Sequence, residues 1–293
     1  MSTRPRRPAP STPAPGKLPL PELAEMKRRG EKIVVVTAYD SPGGRLADEA
    51  GVDLILVGDT AGMVMHGHPS TVPVSMDEMV FMCRWVTRGA RRPIVIGDLP
   101  FGSYQVSDEE AVRNAIRFVK EGGADVVKLE GAGPMLSRVR AIIEAGIPVM
   151  GHAGLTPQTA TALGGFKAQG RTADKAQRLM DDALALEAVG CFAIVLEAVP
   201  APVAARVTSA LHVPTIGIGA GAGCDGQVLV WHDLLGFTES TPRFVKRYAE
   251  IGDEIRHALE HFVEDVRTGR FPEEQHTYAM PADELAAFER SGS

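Results

Sequence analysis

A chain of 293 residues, 44% hydrophobic and 23% charged, has the composition of an ordinary globular α/β domain, and no apolar run approaches the roughly 20 residues of a membrane span. The formal net charge of −6 gives no long-range attraction for phosphate backbones and argues against a nucleic-acid partner. Cys83, Cys191 and Cys224 are widely spaced without a C-x-x-C pair, so neither a disulfide framework nor a thiolate zinc site is indicated, and a reducing cytoplasm fits.

Residues 1–21 hold seven prolines with Arg4, Arg6 and Arg7 but no apolar stretch, which predicts a disordered tail rather than a secretory signal. Apolar, β-branched runs then predict strands at 33–38, 54–58, 94–97, 126–129, 148–151, 193–196 and 215–218. Between most of them lie amphipathic helical stretches. The stretch 107–122 opens on Ser107 as N-cap with Glu110 three residues on and closes on Gly122 and Gly123. Alternating strands and helices mean a parallel sheet with right-handed crossovers, and so many strands in a chain of this length predict a closed (β/α)8 TIM barrel. Residues 227–232 have the composition of an eighth strand, but the link from the seventh is too short for an ordinary crossover helix. An atypical closure or an open sheet is the alternative. Residues 242–269 read as helical and as a terminal cap. The polar end after Phe271 and Pro272 is expected to fray, apart from contacts near Glu273 and His276. The layout is thus a tail at 1–21, one catalytic domain at 22–276 and a flexible tail at 277–293. Two long connections, 60–77 and 155–171, leave the carboxyl ends of the second and fifth strands, where long loops serve as lids or binding loops unless they are simple surface insertions.

Three of the strand runs are each closed by an acid: Asp59, Asp98 and Glu130. Presented at the carboxyl ends of successive barrel strands, they would converge as hard oxygen ligands suited to Mg2+. The alternative is that each acid caps the following helix. Lys128 lies two residues before Glu130, so both face the barrel mouth; such a lysine can neutralise a substrate carboxylate or form an internal pair with the acid. Glu197 ends the sixth strand, apart from the other acids. It suits proton abstraction from carbon beside a metal-bound carbonyl, with helix capping again the alternative. His152 ends the fifth strand and either meets a ligand oxygen or is a satisfied core histidine. His66 and His68 have the spacing of a zinc pair but no third ligand nearby, so they read as a loop feature. The glycine-rich run 216–223 lacks the helix and the ribose-binding acid of a dinucleotide site.

In chain order, TAYD at 37–40, VGDT at 57–60, DLPF at 98–101, VKLEG at 127–131, GHAGLTPQ at 151–158, GGFKAQGR at 164–171, LEAVP at 196–200 and IGIGAG at 216–221 resemble the ketopantoate hydroxymethyltransferase family. The resemblance runs from about 23 to 276. It implies a TIM barrel of the phosphoenolpyruvate/pyruvate type, a place in pantothenate biosynthesis in the cytoplasm, and a homodecamer of two pentameric rings. The implied reaction moves a hydroxymethyl group from 5,10-methylenetetrahydrofolate to 3-methyl-2-oxobutanoate, through a Mg-stabilised enolate, giving 2-dehydropantoate and tetrahydrofolate. By the same resemblance Mg2+ is held by Asp59, Asp98 and Glu130. The ketoacid meets Asp59, Thr60, Asp98 and Lys128, and Glu197 accepts the proton. The folate co-substrate rests on the resemblance alone. Two departures are visible: the family usually has serine where this chain has Thr60, and residues 41–44 lack the aromatic residue often found after Asp40. Rival readings are a lyase or mutase on the same barrel, whose lid-loop cysteine motif none of the three cysteines matches, and a non-catalytic scaffold, which the presence of all four acids disfavours.

Overall fold

The computed structural model describes residues 16–238 and 241–291; the proline-rich stretch at 1–15 lies outside them. Eight parallel strands close a barrel in chain order: β1 (Ile33–Thr37), β2 (Leu54–Val57), β3 (Ile94–Asp98), β4 (Val126–Lys128), β5 (Val149–Gly154), β6 (Ala193–Glu197), β7 (Thr215–Ile218) and β8 (Gly226–Leu229). Helix α1 (Glu22–Arg29) precedes β1. Then α2 (Ser41–Ala50) follows β1, α3 (Ala61–Val64) and α4 (Met76–Gly89) follow β2, α5 (Asp108–Arg117) follows β3 and α6 (Leu136–Glu144) follows β4. Helices α7 (Ala173–Ala188), α8 (Ala201–Ala210) and α9 (Trp231–Leu234) follow β5, β6 and β8.

Crossover helices cover the outside of a parallel barrel while side chains fill its inside, which is why these strands are unbroken apolar runs. Ile94 and Ile96 of β3 join Leu54, Val126 and Val228 in one core cluster, and Val95 between them joins the cluster that includes residues of the surrounding helices. From α1, Leu23 and Met26 add to the first cluster beside Ile33. Burying each contributes about 1.5–3 kcal/mol. Lys27 ties this plug down by donating from Nζ to Asp225 Oδ2 at 2.9 Å. Just upstream, Leu18 N donates to Arg92 O at 2.8 Å, so the described end of the predicted tail is bonded to the barrel.

The eighth strand starts and ends earlier than predicted. It occupies Gly226–Leu229, and the chain turns at once into α9, where Trp231 N donates to Thr37 Oγ1 at 2.9 Å. Residues 219–225 hold no helix, yet Gly226 pairs with Ile216 on one side and Ile33 on the other, so the sheet is closed. A seven-residue link reaches at most about 25 Å when extended, more than the roughly 13 Å rise of a four-residue strand. A helix is therefore not needed. At Gly226 a Cβ would lie 2.5 Å from Ile33 O, so only glycine lets β8 come this close to β1.

The helix predicted at 107–122 is found, capped by Ser107 Oγ accepting from Glu110 N at 3.1 Å. Its pitch changes to a turn of π-helix at Phe118–Gly122 before Gly123 ends it.

The described chain divides into two compact units, the barrel through Leu234 with Pro242–Lys246, and a second unit of Leu235–Thr241 and the residues from Arg247 on. In the second unit α10 (Ile251–Thr268) ends on Gly269 at φ 72°, and α11 (Ala282–Ser291) forms within the polar end. The helix predicted from 242 therefore begins at Ile251; Val245 N bonding back to Pro242 O makes only a turn. No helix among the described residues is long and apolar enough to cross a membrane.

Candidate active site

Parallel strands present all their carboxyl ends on one face of a barrel. Asp98 and Glu197 are the last residues of β3 and β6, and Asp59 and Glu130 lie two residues past β2 and β4. All four acids, with Thr60, Lys128 and His152, line one small cavity of about 40 Å3. None of the acids caps a helix. The caps are Thr60 for α3, Ser107 for α5 and Pro200 for α8, and Ala132 precedes the short turn before α6.

Asp59, Asp98, Lys128 and Glu130 are only 2–4% exposed, so their charges must be answered inside the protein. Lys128 Nζ donates to Asp98 Oδ1 at 2.7 Å, and Asp59 N donates to Asp98 Oδ2 at 3.2 Å. The ion-pair partner of Lys128 is thus Asp98, its neighbour in the β3–β4 register, and not Glu130 two residues further along its own chain segment. Thr60 makes no cap bond with its hydroxyl, which remains beside the cavity.

His152 lies inside β5 rather than at its end. Its Nδ1 is 3.5 Å from Glu130 Oε1 and its Nε2 is 3.3 Å from Glu197 Oε2. Neither contact has hydrogen-bond alignment, so His152 spans two acids and is not a satisfied core histidine. Glu197, with its side chain 17% exposed, is the most open of the four acids. The backbone around it is closely packed. Ala198 sits at φ 50°, a left-handed conformation costing a non-glycine residue about 1 kcal/mol, and Ala198 N donates to Ile218 O at 2.8 Å. Gly154 has φ 100°, and a Cβ there would come within 2.4 Å of Glu197 O.

These surroundings move the ionisation of the cluster. Burial and then the charges of Asp98 and Glu130 push the Asp59 carboxyl well above the usual range. Burial also raises Asp98, against the pull of Lys128. For Glu130 burial acts upward, but His152, Lys128 and the Gln158 N–H outweigh it and hold the carboxyl below its ordinary value. Burial and Lys128 act to lower His152, while its two glutamates raise it to about 9. Burial likewise opposes the Lys128 charge, and Asp98, Glu130 and Asp59 together keep it charged and raised. The four acids of the site outnumber its two cationic side chains, Lys128 and His152, and an all-oxygen donor set is what a hard divalent cation takes. Among the described residues no three acid, histidine or cysteine side chains form a ready-made cage, so such an ion would share its coordination with water or substrate oxygens.

Every site residue picked out from the sequence, Asp59, Thr60, Asp98, Lys128, Glu130, His152 and Glu197, lines this cavity. His66 and His68 do not; their rings meet edge to face with centroids 5.9 Å apart, and Glu78 Oε1 is 3.8 Å from His66. The three cysteines are buried and lie outside the cavity lining. Two polar residues that sequence reasoning missed hold the cluster from above. Gln158 Nε2 donates to Asp59 Oδ2, and its Oε1 accepts from Tyr104 OH. The only sequence signal for Gln158 was its place in the 151–158 segment, since a loop has no periodicity to say which residue turns inward.

Barrel and site together define a class, the closed parallel (β/α)8 barrels that gather acids at the carboxyl ends of their strands. Phosphonopyruvate hydrolase, solved with oxalate and Mg2+, aligns with a TM-score of 0.56 at 14% identity, covering 93% of this chain and 96% of that one. The 2,3-dimethylmalate lyase of the phosphoenolpyruvate mutase/isocitrate lyase superfamily aligns at 0.55 and 14%, covering 94% and 99%. At such identities the likeness is one of fold. Sequence narrows it further: residues 17–274 match ketopantoate hydroxymethyltransferase, and the chain belongs to that family. The 3-methyl-2-oxobutanoate hydroxymethyltransferase of Moorella thermoacetica is 56% identical over 263 residues, covering 89% of this chain and 98% of the relative. That of Heliobacterium modesticaldum is 54% identical over 265 residues, covering 90% and 96%.

Proposed function

We propose that this chain transfers a hydroxymethyl group from 5,10-methylenetetrahydrofolate to 3-methyl-2-oxobutanoate, giving 2-dehydropantoate and tetrahydrofolate for pantothenate synthesis. The observation that carries the reading is the division of the site. Three desolvated acids gather around Lys128, and a more open fourth acid, Glu197, is reached across His152. The first group suits holding a charged ketoacid and a cation, and the second suits moving a proton.

Asp59, Asp98 and Glu130 would hold Mg2+, which when bound supplies Lewis-acid stabilisation for negative charge at the keto oxygen. Lys128 offers its ammonium to the ketoacid carboxylate, and Thr60 offers its hydroxyl, with Asp59 and Asp98 setting the edge of the same pocket. Glu197 takes the C3 proton on a carboxylate oxygen. C3 then bonds to the methylene carbon of the folate; the two bonds from that carbon to N5 and N10 break, water supplies the hydroxyl, and the C3 proton and a proton of the water end on the two nitrogens of tetrahydrofolate. The small cavity and the short apolar wall of Val195, Ile218 and Val228 favour a compact branched ketoacid over a larger one.

The expected setting is the cytoplasm and the expected assembly a homodecamer of two pentameric rings. Ile255, Leu259, Phe262 and Val266 are 43–58% exposed along α10, apolar surface of the kind an assembly covers. The deciding assay is tetrahydrofolate release with both substrates, with and without Mg2+. Release that needs the ketoacid and the ion supports the reading, and no release with all components present refutes it.

A further inference from the structure

The loop after β5 reaches the acids through one side chain. Gln158 sits in the short turn Pro157–Thr159 and is 5% exposed. Its Nε2 donates to Asp59 Oδ2 and to Leu99 O, both at 2.9 Å. Its Oε1 accepts from Tyr104 OH at 2.6 Å and, more weakly, from Gln105 Nε2 at 3.4 Å. Its backbone N–H donates to Glu130 Oε2 at 3.0 Å. Both N–H groups and both acceptor positions of the amide are therefore in use.

The orientation of this amide is fixed chemically. Its nitrogen faces two groups that only accept, a carboxylate and a carbonyl, whereas its oxygen faces a hydroxyl and an amide nitrogen. Turned over, the amide would set oxygen against oxygen at Asp59 and Leu99. Tyr104 is held in turn: its hydroxyl accepts from Glu130 N at 3.3 Å, and its proton faces Gln158 Oε1 at 2.6 Å, much nearer than its other acceptor, Glu130 O at 3.4 Å. The loop after β3, which carries Tyr104, and the loop after β5 thus meet at Gln158, whose buried amide touches Asp59 past β2 and whose backbone N–H touches Glu130 past β4.

We propose that Gln158 is a positioning residue for the divalent ion, its amide setting the plane of Asp59 while its backbone N–H holds Glu130, with Tyr104 setting the plane of the amide. This rests on the assignment of these acids as ion ligands. A carboxylate on a single bond rotates freely. Anchoring one oxygen of Asp59 and one of Glu130 leaves each acid's other oxygen, Oδ1 and Oε1, aimed in a fixed direction before any ion arrives. Among the described residues Asp59 Oδ1 accepts no hydrogen bond, which leaves it available. Preorganised ligands of this kind bind more tightly than the same ligands left to rotate.

The test uses the full-length protein in its native assembly, stripped of divalent ions by chelation, with Mn2+ as the probe and free ion read by electron paramagnetic resonance. Gln158→Met keeps the length of the side chain and the backbone N–H on Glu130 and removes the amide donors, so it frees Asp59 alone. Its Mn2+ Kd is expected to rise about 10- to 100-fold, the weight of a charge-assisted bond lost in a buried site. The Mg2+ concentration for half-maximal turnover should rise in step, while kcat at saturating Mg2+ stays within about threefold, as for ligands that are aimed and not supplied by this residue. Tyr104→Phe should weaken Mn2+ less, and the double variant should be no worse than Gln158→Met, because Tyr104 acts through Gln158. A residue that merely supports the loop would lower the melting temperature and leave the ion alone, so a wild-type Kd in Gln158→Met overturns the inference whatever its stability. Should that variant not fold, a wild-type Kd in Tyr104→Phe does the same. If the unsubstituted protein binds no Mn2+, the ion-binding reading falls and takes the inference with it.

Discussion

Replacing Glu197 by glutamine separates proton transfer from everything else the site does. The amide has the shape of the carboxylate and still offers an oxygen to His152 Nε2, which stands 3.3 Å from the acid in the intact site. It cannot hold a proton taken from carbon. Glu197 shares no hydrogen bond with Asp59, Asp98 or Lys128, and His152 lies between it and Glu130. Ion and ketoacid affinities should therefore change less than about threefold. The loss belongs to the chemical step, where a positioned base is worth about 10²- to 10⁴-fold, or about 3–5 kcal/mol of barrier. The direct readout is exchange of the C3 hydrogen of 3-methyl-2-oxobutanoate with deuterated water, followed by NMR in the absence of folate. As a contrast, Asp98→Asn should weaken Mg2+ binding and recover part of its exchange rate when the ion is raised. Exchange in Glu197→Gln at the wild-type rate would refute the assignment and leave His152, already in contact with both glutamates, as the group to examine.

Thr60→Ser should be nearly neutral, while Thr60→Val, which keeps the shape and removes the hydroxyl, should raise the ketoacid KM about 3- to 10-fold, the weight of one neutral hydrogen bond; an unchanged KM in the valine variant removes Thr60 from the substrate site. Lys128→Met takes the 2.7 Å partner from Asp98 and leaves a buried charge uncompensated, a change that costs about 3–5 kcal/mol and should show as a lower melting temperature in ion-free buffer. The same substitution makes the site more negative, so calorimetry should find Mg2+ bound at least as tightly and the ketoacid more weakly. A parallel loss of both affinities would show that Lys128 does not divide from the acids in the way the geometry implies.

How much of this was legible in the sequence depends on which element carries a residue. Strands buried on both faces appear as continuous apolar runs, and an acid that ends such a run is conspicuous, so Asp59, Asp98, Glu130 and Glu197 were readable before any coordinates. The eighth strand was blurred for a physical reason. Its run continues through Val230 and Trp231, and only the bond from Trp231 N to Thr37 Oγ1 at the end of the neighbouring β1 marks where strand gives way to helix. The π-turn at Phe118–Gly122 is equally silent, because the pitch of a helix end is set by what it packs on and not by its own residues.

Lys128 shows the limit most clearly. The two-residue period of a strand correctly put Lys128 and Glu130 on one face, but the cation pairs with Asp98. Period is a property of one strand, whereas register is a property of two, fixed here by the alignment of Asp98 with Lys128 across β3 and β4. A single run of residues cannot carry that alignment. Gln158 is a stronger case of the same rule: its partners come from the ends of β2 and β4 and from the loop after β3, and its own loop has no period at all. Groups on single strands can thus be named from the chain, while the contacts that aim them, made between strands and loops, become visible only when the barrel closes.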